Sequence, residues 1–227
     1  MRAVFLDLKI SSKSIRLDGE QANHLIKVVR IKEGEEVLGF TGKGKILVLR
    51  VSHILKKHLE FDIKEERFEK RKIDFDVLVC KVKKEAMNLT FKECCELGVN
   101  KIIVASSEYS QSYPLNLSKV QKILKSGIEQ ANNPYLPQLE ERSLKELNFE
   151  EYDSVIYFSS QTNSNKIIHA NPGKTLIVFG PEGGLSEKEE LGLRKLTNSS
   201  VLKLETNIMR TPTAVACGVG YYLGASS

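Results

Sequence analysis

"VFGPEGGLSEKEELG", residues 178 to 192, joins an apolar run to a stretch of helix formers through Gly180, Pro181, Glu182, Gly183 and Gly184. Three of these five residues have no side chain. The run "TLIVF" before them reads as a buried strand. Ser186 and Glu189 have the spacing of a capping box, in which each residue satisfies a backbone N–H of the other at a helix start. Strand, loop and helix in this order put the loop at the carboxyl end of a strand in an α/β sheet, where ligands bind. Glycines there either take φ > 0 or clear room for a backbone or a ligand. An ordinary strand-to-helix turn explains one or two of them and gives no reason for Pro181 and Glu182 between.

Working outward, the rhythm from residue 71 onward is strands alternating with helices. "FDVLVCKV" is a buried strand, "KEAMNLTFKECCEL" sets Met87, Phe91, Cys94 and Cys95 on one helical face, Gly98 can cap that helix, and "KIIVA" is the next strand. A helix over residues 118 to 131, strands at "SVIYFSS", "TLIVFG" and "SVLKLE", and a last helix over residues 212 to 223 follow. Five short apolar strands with intervening helices imply a mostly parallel sheet covered on both faces.

Residues 1 to 70 differ. Short alternating runs, "RAVFLDLKI", "EVLGF", "KILVLRVSHIL" and "HLEFDIKEE", punctuated by "EGEE" and "TGKGK", suit a small antiparallel barrel with a helical insert near residues 20 to 29. The charged stretch "KEERFEKRK" is the natural linker to the second domain, 71–227. Residues 1 to 72 hold 17 Lys and Arg against 11 Asp and Glu, whereas the remainder holds 17 against 18, so the basic excess is N-terminal. Such a module either meets a polyanion or presents a lysine-rich solvated surface.

Several classes are excluded. At 227 residues and 41% hydrophobic composition the chain can bury one core or a core with a satellite domain. No apolar stretch approaches the eighteen residues of a membrane span, and "MRAVFLDLKISSKS" carries charges where a signal peptide needs an apolar segment, so a cytoplasmic address is expected. Cys80, Cys94, Cys95 and Cys217 lack metal-ligand spacing and are expected as buried thiols, with no metal site. "NPGKT" is no phosphate-binding P-loop, because Ile168 stands where its first glycine belongs, and no GxGxxG follows the first α/β strand.

The second informative stretch is "LKLETNIMRTPTAVACGVGYYLG", residues 202 to 224. A strand runs into a loop carrying Asn207 and Arg210, and a helix follows with Pro212 in its first turn, where proline is tolerated. Ala214, Ala216, Gly218 and Gly220 offer a packing face, and Arg210 is the conspicuous charge.

Together "GPEGGLSEKE" and "LETNIMRTPTA", with "KEAMNLTFKECCELGV", "GIEQANNPYLP" and the N-terminal "HLIKVVRIKEGE", resemble the RsmE family of SPOUT-class methyltransferases over essentially the whole chain. The resemblance implies S-adenosylmethionine-dependent methylation of N3 of a uridine in small-subunit ribosomal RNA, free or in the assembled 30S subunit. It further implies a PUA-like barrel ahead of an α/β domain with a C-terminal trefoil knot, and a homodimer formed through that domain. Carried onto this sequence, the cofactor would be held by Phe179, Gly180, Pro181, Glu182, Gly183, Gly184, Leu204, Asn207, Ile208, Met209, Arg210, Thr213 and Ala214. The RNA would meet Lys27, Arg30, Lys43 and Lys45. Three frequent family residues are replaced, by Asn133, Asn207 and Pro212, which leaves Arg210 as the candidate catalytic group.

The chemistry asks for little covalent help: donor and acceptor in line, water excluded, and the N3 proton removed. A cation near the uracil oxygens would stabilise the developing anion, a role that suits Arg210, and Glu182 and Glu205 are the candidate bases. The alternatives are a non-catalytic RNA-binding dimer with a degenerate α/β domain, and a SPOUT enzyme acting on transfer RNA.

Overall fold

The computed structural model describes residues 2–7, 14–159 and 173–226. Ile168 and the start of "NPGKT" lie outside the described residues. The chain divides into two compact units, one of residues 1–71 with 128–136, the other of residues 72–127 and 137–227.

The first unit is built on a five-stranded sheet. Its strands are β1 (Ala3–Phe5), β2 (Ser14–Asp18), β3 (Glu36–Phe40), β4 (Lys45–Ile54) and β5 (His58–Phe68), in the order β1-β3-β4-β5-β2. Leu47, Leu49 and Val51 alternate inward along β4, as the two-residue period of a strand requires, and all five strands contribute to one core with Val4, Ile15, Val37 and Phe61. The sheet departs from the expected antiparallel barrel at one edge: β1 joins β3 in parallel, while the other pairings are antiparallel.

The helical insert is α1 (Gly19–His24) followed by a π-helical turn, Leu25–Val29, that ends on Arg30 at φ 55. Residues 128–136 complete this unit. Glu129 accepts hydrogen bonds from the Phe5 N–H at 2.7 Å and Gln21 Nε2 at 3.0 Å. Pro134 and Leu136 bond to both sides of the "TGKGK" turn, through Gly44 N to Pro134 O and Leu136 N to Gly42 O, each at 3.0 Å.

The second unit is a six-stranded, wholly parallel sheet. Its strands are β6 (Phe75–Cys80), β7 (Lys101–Ser106), β8 (Gln138–Ser143), β9 (Ser154–Phe158), β10 (Thr175–Phe179) and β11 (Ser199–Leu202), ordered β11-β9-β10-β6-β7-β8. Every residue of β6 and β10 is buried, as in a sheet covered on both faces. β8 was not expected: "QLEERS" has no apolar run, because it is an edge strand with charged side chains.

The helices are α2 (Lys84–Glu96), α3 (Leu117–Ala131), α4 (Glu187–Arg194) and α5 (Thr211–Ala225). Met87, Phe91, Cys94 and Cys95 form the buried face of α2. Gly98 at φ 75 ends the helix by a Schellman motif, with Val99 N to Cys94 O at 3.0 Å and Gly98 N to Cys95 O at 3.4 Å. Of the four thiols three are buried; Cys217 on α5 is exposed, contrary to expectation. The small residues of α5 also divide. Gly218 is buried, where an added Cβ would stand 2.8 Å from both Phe158 and Phe179, whereas Gly220 meets nothing.

Candidate functional site

Strand order places β10 between β9 and β6, and the chain leaves β9, β10 and β11 at the same carboxyl edge. A cavity of about 570 Å³ opens there, within the 300–1,000 Å³ of small-molecule sites. Three segments wall it: Tyr157, Phe158 and Ser159 at the end of β9; residues 179 to 184 after β10; and Lys203, Leu204 and residues 206 to 209, reaching Thr211 and Ala214 on α5.

The glycine loop has local causes for much of its composition. Gly184 N donates to Pro181 O at 2.9 Å, closing a turn with Glu182 and Gly183 at its tip. Gly184 sits at φ 77, which L side chains rarely adopt. Gly180 lies under the returning backbone, where a Cβ would stand 3.2 Å from Leu185 N. Gly183 has neither reason: its φ is ordinary, and the nearest neighbour of a Cβ there would be Tyr109 Cβ at 3.8 Å. Beyond the loop, Ser186 and Glu189 form the expected capping box and start α4.

Glu190, one turn into α4, lines the cavity and is buried. Its carboxylate accepts from Tyr157 Oη at 2.8 Å, Ser159 Oγ at 3.0 Å and Arg194 at 3.3 Å, so its buried charge is hydrogen-bonded throughout. Burial first, and then the bond to Glu190, hold the Tyr157 phenol well above its ordinary range, so it stays a donor. On the apolar side Phe158 and Phe179 stack at 5.6 Å, and Gly218 lets α5 close on the pair.

Of the residues expected at the cofactor, Phe179, Gly180, Pro181, Glu182, Gly183, Gly184, Leu204, Asn207, Ile208, Met209 and Ala214 line this cavity. Arg210 and Thr213 do not; Arg210 is the exposed N-cap of α5, between Met209 and Thr211, which do. Glu182 lines the cavity and Glu205 does not. Sequence reasoning missed Tyr157, Ser159 and Glu190. The available signals were the period-two pair at the end of "SVIYFSS" and the i, i+4 pairing of Glu190 with Arg194.

In the first unit Lys27, Arg30 and Lys43 are exposed, while Lys45 is ion-paired with Glu66 at 2.7 Å. Among the described residues no helix is long and apolar enough to cross a membrane.

Residues 69–221 match a family described as the RNA methyltransferase domain, and residues 17–64 match the RNA methyltransferase PUA domain. The chain is 27% identical over 212 residues to ribosomal RNA small subunit methyltransferase E 1 of Borreliella burgdorferi, covering 88% of each protein. It is 29% identical over 198 residues to ribosomal RNA small subunit methyltransferase E of Aquifex aeolicus, covering 83% of this chain and 85% of that one. In fold it is similar to the crystal structure of ribosomal RNA small subunit methyltransferase E from Neisseria gonorrhoeae bound to S-adenosyl methionine. The TM-score is 0.87 at 24% identity, over 100% of this chain and 98% of that one.

Proposed function

The chain belongs to the RNA methyltransferase family, and from that premise we propose that it transfers a methyl group from S-adenosylmethionine to N3 of a uridine in small-subunit ribosomal RNA. The observation that carries the reading is the cavity at the carboxyl edge of β9, β10 and β11, whose volume suits a nucleoside-sized ligand. Its walls suit this cofactor. Phe158 and Phe179 give an apolar surface, Glu190 and Ser159 give polar anchors, and Gly183 leaves backbone bare where no internal contact requires it.

When bound, the cofactor supplies an electrophilic methyl on a sulfonium. The chain's own residues do the rest. The cavity-lining loops after β10 and β11 would hold the cofactor and shield the reacting atoms from water. Glu182 is the candidate carboxylate on the cavity wall to take the N3 proton. Arg210, exposed between two lining residues, stabilises from the rim the negative charge that develops on the uracil oxygens.

The first unit would grip RNA phosphates through Lys27, Arg30 and Lys43, with Lys45 weakened as a contact by its pairing to Glu66. A homodimer through the second domain is supported by α5, a helix without a charged residue that leaves Cys217, Gly220 and Tyr221 exposed, and by Ile208 at 92% exposure. The trefoil knot, the 30S subunit as substrate and a cytoplasmic location belong to the same proposal.

Isothermal titration with S-adenosylmethionine tests it. The unsubstituted protein is expected to bind, and Gly183→Val, at an unstrained position, to bind much more weakly without loss of fold. No binding of S-adenosylmethionine at any concentration would contradict the reading and favour the alternative, a non-catalytic RNA-binding protein.

A further inference from the structure

Tyr109 lies in the turn after β7, at the same carboxyl edge of the sheet as the cavity, and plays no part in the reading so far. The turn is tightly pinned. Ser110 N donates to Ser107 O at 3.2 Å, Ser107 N donates to Ser110 Oγ at 2.8 Å, and the two hydroxyls meet at 2.7 Å. It is also tied to the glycine loop's own helix: Glu108 N donates to Glu189 Oε1 at 2.9 Å, while Glu189 Oε2 accepts from Ser186 N at 3.0 Å. One carboxylate thus fixes both the start of α4 and the turn that carries Tyr109. At the tip of this rigid turn the tyrosine is 55% exposed, and its Cβ is the nearest atom to the space that a side chain on Gly183 would fill. A large, partly exposed aromatic side chain is therefore carried on a pinned turn beside the one loop glycine that has no internal reason to be glycine.

We propose that Tyr109 is a substrate-binding residue, a platform on which a base of the RNA stacks at the mouth of the cavity beside Gly183; this rests on the function proposed above. A base presented for N3 chemistry has to leave its own stack, and an aromatic face held in place replaces part of what it loses. Tyrosine offers that face at small entropic cost, and stacking accepts any base, so Tyr109 contributes affinity and position rather than identity.

The chain contains no tryptophan, so Tyr109→Trp puts a single indole at the proposed contact. Its emission should be quenched when small-subunit RNA binds. In methyl transfer at saturating S-adenosylmethionine, Tyr109→Phe should keep its rate, whereas Tyr109→Ala should lose about 10- to 100-fold in kcat/KM for RNA. Cofactor affinity and melting temperature should not change in Tyr109→Ala. Unquenched indole emission on an RNA-bound enzyme, an unchanged kcat/KM for Tyr109→Ala, or an equal loss of cofactor affinity would each overturn the platform. Absence of methyl transfer by the unsubstituted protein would overturn the functional reading itself, and the platform with it.

Discussion

Among the three loop glycines, the structure separates conformational need from open space, and substitutions can follow that division. Gly184→Ala places a Cβ at φ 77 and should cost about 1–2 kcal/mol of stability by chemical denaturation, since nothing lies near enough to compensate. Gly218→Ala drives a methyl into the Phe158–Phe179 stack at 2.8 Å and should cost about 1–3 kcal/mol while also weakening cofactor binding, because both rings line the cavity. A third residue gives a pH signature. Glu93 on α2 has a buried carboxylate oxygen without a hydrogen-bond partner, and burial, then Glu96, hold its pKa above the ordinary carboxylate value. The folded chain therefore binds that proton more tightly than the unfolded chain does. The stability so gained is present below the unfolded pKa of about 4.3 and is lost as pH rises through the folded value. Glu93→Gln should raise the melting temperature at neutral pH, and the gain should shrink as pH falls through the raised folded value and level off by pH ~4; a gain independent of pH would assign it to packing instead.

At the level of elements, legibility followed burial and local chemistry. β6, β10 and the buried face of α2 announced themselves as apolar runs or helical spacing, and Ser186 with Glu189 marked the start of α4 correctly. Ser186→Ala should therefore cost about 1 kcal/mol, and because Glu189 also holds the Glu108 turn, the variant should speed amide exchange there as well. β8 was invisible because an edge strand needs no apolar run, and β2 and the parallel seat of β1 because they are decided by long-range pairing. At the site, the loop at 179 to 184 could be read from its glycines and proline, and the second loop from the strand before it and Pro212 in the first turn of the helix after it. Tyr157, Ser159 and Glu190 could not, since a buried carboxylate becomes understandable only once its three donors are in place. Arg210, conspicuous in the sequence as a charge, stands at a helix N-cap on the rim between two lining residues rather than in the cavity wall.

For the molecule as a whole, the basic excess of the first third and the cavity of the second unit make separable predictions. If the first unit holds phosphates, log affinity for RNA should fall linearly with log salt, and Lys27→Ala or Arg30→Ala should each reduce that slope by about 0.7–0.9 with cofactor affinity unchanged. A salt-independent affinity would make the basic excess a solvated surface. Charge substitutions are the right tool, because residues 128–136 belong to the first unit through Glu129, Pro134 and Leu136, so deleting residues 1–70 would strip contacts from the end of α3. The function itself is tested most directly by product analysis: purified protein, methyl-labelled S-adenosylmethionine and unmethylated small ribosomal subunits, followed by digestion of the RNA to nucleosides. The label is expected in 3-methyluridine and in no other nucleoside; label in a different nucleoside, or none in RNA at all, would contradict the assignment.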